Sequence, residues 1–305
     1  MRILVTGFTG LLGHALLPVL RRDHRVIGLG SKDCDIRDET AVRRVLHVYR
    51  PELLIHLAAY TDVDGCELDP RKADEVNGTG TRNFARACAE VGAAIVYLST
   101  DYVFDGRKTR PYSEFDRPNP INSYGRSKLL GEQFLQGTLD RYFVVRTSWL
   151  FGPHGKNFVQ PILRAASQQT GLRVVNDQCG SPIYTRHLAK KLLELIKTNR
   201  YGIYHITGSG SCTWFELARS ILQLSGLTGV RLAPISSAES GRPALRPANS
   251  VLENRRLRLM QLGLLPNWRE GLGTFLNELR EDSKFFGECG HESTEGRDAI
   301  NPEPA

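Results

Sequence analysis

The sequence predicts an α/β fold: a doubly wound parallel sheet followed by a smaller C-terminal cap. Two observations predict it. Up to about residue 206, short apolar runs alternate with amphipathic stretches of helical length, the pattern of strands covered by helices on both faces. Three glycines, Gly7, Gly10 and Gly13, follow the first apolar run directly, where a strand must turn tightly into a helix.

Strands are expected over 2–6 (RILVT), 25–29 (RVIGL), 53–57 (LLIHL), 94–98 (AIVYL), 143–147 (FVVRT), 173–176 (RVVN) and 203–206 (IYHI). Helical periodicity lies near 11–22, 38–49, 71–91, 124–136, 157–168 and 186–197. Right-handed crossovers between such strands give the doubly wound arrangement. After 206 the rhythm changes. Helical stretches near 213–224, 254–259 and 269–280 are joined by Gly- and Pro-rich loops, one of which carries Pro234, Pro243 and Pro247. The expected division is a dinucleotide-binding domain over 1–150, with 173–206 returning to its sheet. A substrate-binding cap is expected over 151–172 and 207–280, and an acidic tail over 281–305.

Composition is that of a globular protein, 41% hydrophobic and 24% charged. At 305 residues the chain can bury a core without disulfides or metal. Net charge is +7, unevenly spread: residues 281–305 hold seven acids and two bases, so residues 1–280 carry +12. The tail lacks an apolar stripe and reads as a loose segment. No run of five Lys or Arg occurs, and nucleic acid is not the expected partner. Cys34, Cys66, Cys88, Cys179, Cys212 and Cys289 are scattered without a C-x-x-C pair. They read as free thiols of a cytoplasmic protein, with no metal site. Ile3–Leu20 contains no Asp, Glu, Lys or Arg, yet Gly7, Gly10, Gly13, His14 and Pro18 interrupt it. It reads as strand, turn and helix rather than a membrane span or signal segment.

The glycine turn is the expected pyrophosphate site of a Rossmann-type fold. Glycines let the backbone approach the diphosphate, which then rests on the helix N-terminus. Thr9, Leu11 and Leu12 share that turn. The spacing is G-x-x-G-x-x-G rather than G-x-G-x-x-G. NAD binders usually close the second strand with an acid for the ribose 2′-hydroxyl. Here it closes Gly28-Leu29-Gly30-Ser31-Lys32. Ser31 and Lys32 suit a 2′-phosphate, or form a solvated turn. NADPH is the expected coenzyme, with NADH as the alternative. Asp35 and Ile36 are expected at the adenine edge. Ala58, Ala59 and Thr61 follow the third strand, where small residues let a coenzyme lie across the strand ends.

Tyr124 and Lys128 are spaced i, i+4 on a helix (SYGRSK), which places phenol and amine on one face. A nearby ammonium favours phenolate, and the phenol can then act as an acid toward an alkoxide. Thr100 closes the fourth strand, where its hydroxyl can orient a carbonyl, and Asp101 follows it.

These residues sit in stretches that together carry a resemblance: VTGFTGLLG (5–13), HLAAYTDVDGCE (56–67), VNGTGTRNFA (76–85), LSTDYVFDG (98–106), NPINSYGRSKLLGE (119–132), RTSWLFG (146–152), GKNFV (155–159), VVNDQCGSPIYTRHLA (174–189) and RPANSVLEN (246–254). The chain resembles the extended short-chain dehydrogenase/reductases. Among them it resembles the dTDP-4-dehydrorhamnose reductase family, from residue 1 to about 280. The resemblance implies reduction, by a nicotinamide coenzyme, of C4 in a nucleotide-linked 4-keto-6-deoxy sugar. It implies a catalytic set of Thr100, Tyr124 and Lys128. Trp149 would pack on the sugar, unless it is a core tryptophan. Asn157, Gln178 and Arg246 would line the substrate cleft, Arg246 toward the diphosphate. Arg126-Ser127 stand where the family often has Lys-Thr. Some members dimerise through a metal-assisted acidic C-terminal region that the tail does not match. A homodimer remains compatible with the sequence.

Two other readings belong to the same resemblance. Sugar 4,6-dehydratases need an Asp-Glu pair after the threonine, whereas Thr100 is followed by Asp101-Tyr102. The regulatory β subunit of methionine adenosyltransferase binds a partner instead of turning over, and keeps a Tyr-x-x-x-Lys. It lacks the tryptophan of Arg146-Thr147-Ser148-Trp149, which favours the reductase.

Overall fold

The computed structural model describes residues 1–168, 171–227 and 229–281. Six parallel strands form one sheet: β1 (Arg2–Thr6), β2 (Arg25–Leu29), β3 (Leu53–His56), β4 (Ala94–Thr100), β5 (Tyr142–Thr147) and β6 (Gly202–His205), in the order β6-β5-β4-β3-β1-β2. The chain leaves β1 to one side for β2 and crosses to the other side for β3. That reversal opens a crevice at the carboxyl ends of β1 and β3, where doubly wound sheets bind ligands.

Each face of the sheet carries its own core. On one face α1 (Leu11–Leu20) and α6 (Thr185–Ile196) pack Leu16, Leu20, Leu188 and Leu192 against Ile3, Val5, Ile55 and Val96. On the other, α2 (Glu39–Tyr49) and α3 (Gly80–Val91) pack Val42, Leu46, Phe84 and Cys88 against Leu4, Leu54, Ile95 and Val144. Successive strand residues point to opposite faces, which is why unbroken apolar runs serve both layers. Local chemistry sets the helix ends. Asp38 caps α2 by accepting from the Thr40 and Ala41 amides at 2.9 and 3.1 Å. Gly92 ends α3 in the left-handed region at φ 70°.

The expected helix over 71–91 is not one helix. It comprises a short turn Pro70–Ala73, a π-turn Asp74–Thr79 and α3. The wider turn accommodates Asn77, a buried side chain with three hydrogen bonds described below. Residues 173–176 correct the expectation that the whole of 173–206 returns to the main sheet. The strand Leu172–Val175 pairs instead with Leu232–Ile235 as a separate parallel pair, and β6 alone rejoins the sheet.

The third core lies in the cap. There α5 (Val159–Ser167), α7 (Trp214–Ser225) and α8 (Trp268–Glu281) bury Ile162, Leu163, Leu217, Ile221, Leu272 and Phe275 around Trp149 and Trp214. A capping box starts α7, with Thr213 and Glu216 exchanging hydrogen bonds at 2.8 and 3.1 Å. Among the described residues no helix is long and apolar enough to cross a membrane. The acidic tail read over 281–305 lies outside the described residues beyond Glu281, as does Cys289.

Candidate active site

A cleft of about 760 Å³ runs along the carboxyl ends of the strands, between the sheet and the cap. At one end is the glycine turn. Gly7 adopts φ +65°, and a Cβ there would stand 2.7 Å from the Ala58 amide nitrogen. A Cβ on Gly13 would stand 2.3 Å from the Phe8 carbonyl oxygen. Gly10 is the N-cap of α1 and brings no side chain to it, so first-turn amides are left for a ligand. The cradle therefore fits a dinucleotide's diphosphate. Gly7, Thr9, Gly10, Leu11, Leu12 and Gly13 all line the cleft.

Beyond β2, Ser31, Asp35 and Ile36 line the cleft and Lys32 does not. The Asp33 carboxylate accepts from the Gly30 amide at 2.7 Å and closes that turn on itself. Arg37, which sequence reasoning passed over, lines the cleft as well. After β3 come Ala58, Ala59 and Thr61. Asn77 pins this loop: its Oδ1 accepts from the Tyr60 amide at 2.8 Å, and its Nδ2 donates to the Tyr60 carbonyl at 3.0 Å and to Ser127 Oγ at 2.9 Å.

Thr100 ends β4 and opens the short turn Asp101–Val103. Its Oγ1 accepts from the Tyr102 amide at 3.2 Å and donates to Asp101 Oδ1 at 3.0 Å. Facing it is α4 (Ser123–Gln136), capped by Asn122, which accepts from the Gly125 amide at 2.8 Å. A Cβ on Gly125 would stand 2.0 Å from the Tyr102 carbonyl oxygen. Glycine therefore lets α4 press against the turn that carries Thr100, and Thr100 and Tyr124 meet across that contact. Lys128, one turn further along, is 2% exposed, with Nζ 4.1 Å from the centroid of the Tyr97 ring.

Burial dominates the titration of this group. It pushes the Tyr124 phenol well above its ordinary value, against the opposing pull of the Thr100 hydroxyl. Burial draws the Lys128 amine down to about 7, with Glu132 and Cys66 acting the other way. It raises the Asp101 carboxyl to about 7. The expectation that Lys128 lowers the phenol gives way here: desolvation is the largest influence on both groups. Glu132 extends the same helix face. It is fully buried, accepts from Arg146 at 2.6 and 2.9 Å, and takes a 2.5 Å hydrogen bond from Ser99.

Trp149 leaves β5 at φ +46°, a left-handed conformation that is strained for a bulky residue. It stacks on Trp214 with centroids 3.4 Å apart. Trp149 Nε1 and Thr147 Oγ1 are buried without a protein partner, and both residues line the cleft, as a site for a polar ligand would require. Thr100, Asp101, Tyr124, Lys128 and Trp149 thus converge on one cavity.

Three other expected substrate residues stand behind it. Asn157 donates to the Gly152 carbonyl at 2.9 Å and accepts from the Val159 amide at 3.0 Å. Gln178 donates to Ser237 Oγ at 2.8 Å. Arg246 donates to Asp64 Oδ1 at 2.7 Å and to the Ala244 carbonyl at 2.8 Å. Lys72, Lys156, Tyr102, Thr147 and Ser148 also line the cleft. Tyr102, Thr147, Ser148 and Lys156 fall inside matched motif stretches and were legible there; Lys72 carried no signal. Among the described residues no cluster of three His, Cys, Asp or Glu side chains could hold a metal ion.

The chain matches the family described as RmlD substrate binding domain over residues 1–281. It is 40% identical over 279 residues to a spore coat polysaccharide biosynthesis protein of Bacillus subtilis, covering 91% of this chain and 97% of that protein. It is 41% identical over 278 residues to a dTDP-4-dehydrorhamnose reductase of Streptomyces griseus, covering 89% and 91%. Among solved structures, a dTDP-4-dehydrorhamnose reductase of Bacillus anthracis in complex with NADP superposes with a TM-score of 0.89. Its identity is 41%, over 91% of this chain and 99% of that one.

Proposed function

We infer the chemistry of this cleft from one premise: the chain belongs to the RmlD substrate binding domain family. The protein is an NADPH-dependent oxidoreductase that reduces the C4 keto group of dTDP-4-dehydro-L-rhamnose to dTDP-L-rhamnose, a step of nucleotide-sugar biosynthesis. The observation that carries this reading is the convergence of Thr100, Tyr124 and Lys128 at the mouth of a glycine-lined dinucleotide cradle.

In this reading the Gly7–Gly13 turn and the amides of α1 hold the coenzyme diphosphate. Ser31, Asp35 and Ile36 border its adenosine, and Ala58, Ala59 and Thr61 leave room for it to cross the strand ends. When bound, NADPH supplies the hydride equivalent that the carbonyl carbon accepts. Tyr124 gives its proton to the carbonyl oxygen as negative charge gathers there. A phenol raised by burial stays protonated at neutral pH, which is the form a donor needs. The Thr100 hydroxyl, on giving up its bond to Asp101, donates its single proton to the same oxygen. Lys128, poised at about 7, supports the transient phenolate when charged and returns a proton to it.

Trp149, held by its stack on Trp214, offers its unpartnered Nε1–H to the sugar. Arg246 serves the diphosphate by exchanging part of its contact with Asp64 for phosphate oxygens. Asn157 and Gln178 shape the loops behind the lining rather than touching the sugar. The five described cysteines are free thiols, which fits a reaction carried out in the cytoplasm.

The test is turnover. Purified protein mixed with NADPH and dTDP-4-dehydrorhamnose is expected to consume the near-ultraviolet absorbance of the reduced nicotinamide only when the sugar is present. Tight NADPH binding with a flat trace would instead identify a binding subunit.

A further inference from the structure

Preference for NADPH over NADH rests on who meets the 2′-phosphate, a group carrying about −1.5 to −2 charge at neutral pH. In a doubly wound sheet the adenosine ribose lies at the end of the second strand, here Leu29 and the Gly30-Ser31 turn. The loop that follows offers two cations, Lys32 and Arg37. Arg37 borders the cleft with Ser31 and Ile36, whereas Lys32 lies outside it.

Arg37 is also the better held of the two. Its Nε donates to Asp35 Oδ1 and Oδ2 at 3.0 and 3.2 Å, and its Nη2 donates to Oδ2 at 2.7 Å. Its backbone amide donates to Asp35 Oδ1 at 3.0 Å, and its carbonyl accepts from Asn83 Nδ2 at 3.1 Å. Among the described residues Nη1 makes no hydrogen bond. A guanidinium fixed along one edge keeps the other for an incoming oxyanion, and planar donors suit phosphate.

We propose that Arg37, held at the cleft edge by Asp35, is the residue that reads the coenzyme's 2′-phosphate. The proposal rests on the coenzyme reading of the cleft and adds its specificity-determining residue. The pair is half exposed, so the contact is screened by salt and the preference for NADPH is moderate.

Calorimetric titration of the full chain with 2′,5′-ADP and with 5′-AMP, which lacks only the 2′-phosphate, tests it without turnover. The wild-type chain is expected to bind 2′,5′-ADP more tightly by about tenfold, a margin that shrinks as potassium chloride is raised. Arg37→Ala is expected to erase that margin while still binding 5′-AMP, which shows the cleft intact. Arg37→Lys keeps part of the margin, and Lys32→Ala changes both affinities by the same factor. An unchanged margin in Arg37→Ala, or one lost in Lys32→Ala, would overturn the assignment. A wild-type chain that binds neither nucleotide would overturn the coenzyme reading itself, and this assignment with it.

Discussion

Replacing Gly125 with alanine adds one methyl group where the structure leaves none. The new Cβ would stand 2.0 Å from the Tyr102 carbonyl oxygen, and no flexible side chain lies between to yield. Ordinary packing needs about 1 Å more, so either α4 or the Asp101–Val103 turn must withdraw by that amount. Both flank the site: α4 carries Tyr124 and Lys128, and the turn follows Thr100. A displacement of about 1 Å in a catalytic constellation costs about 100-fold in rate. Overpacking of this kind costs about 1–3 kcal/mol of stability, which a domain of this size survives. The expected result is a kcat lower by about 100-fold, with NADPH affinity within a few-fold of wild type, because the glycine cradle is on β1 and α1. Steady-state kinetics with a fluorescence titration of NADPH measure both. A Gly125→Ala protein with wild-type kcat would refute the claim that the contact between α4 and the turn sets the Thr100–Tyr124 geometry.

Tyr124→Phe removes the proton donor alone; kcat is expected to fall by about 10²–10⁴-fold while NADPH still binds by fluorescence titration. Lys128→Met tests the depressed amine. With a folded value near 7 against an ordinary 10.5, the unfolded chain binds the extra proton between those values, so the penalty of burying this amine is full and constant below 7 and is relieved as pH rises from 7 toward 10.5. The variant is therefore expected to gain more Tm over wild type at about pH 6 than at about pH 9, while losing turnover, and equal Tm differences at both would count against it. Arg246→Ala is expected to raise KM for the nucleotide sugar with a smaller effect on kcat; an unchanged KM would confine Arg246 to its structural pair with Asp64.

Much of this was legible because it is local. The inner strands of the main sheet are buried on both faces, so they read as largely apolar runs. Gly7, Gly10, Gly13 and the Tyr124–Lys128 spacing are adjacent in sequence and mean what they mean within one turn. What stayed hidden depends on distant partners. The run at Leu172–Val175 has the composition of a sheet strand, but nothing in it says that Leu232–Ile235 rather than β5 will pair with it. Arg246 and Asp64 meet across 182 positions, so an arginine expected to be open for phosphate turns out to have a carboxylate already. Arg37 rather than Lys32 borders the cleft, with Asp33 closing one turn and Asp35 holding the next. Propensity says nothing of either. The opposite shifts of Tyr124 and Lys128 from the values their pairing suggests come from burial, which spacing does not report.

The central claim is that this cleft reduces one carbon of the sugar while Tyr124 protonates the oxygen on it. NADPH carrying deuterium at the transferable nicotinamide position, incubated with dTDP-4-dehydrorhamnose and the protein, gives the most direct test. Deuterium NMR of the product is expected to place the label at C4 of the sugar in one-to-one ratio with NADPH consumed, and Tyr124→Phe is expected to suppress that signal. Label at any other carbon, or NADPH consumed without label in the sugar, would contradict the account.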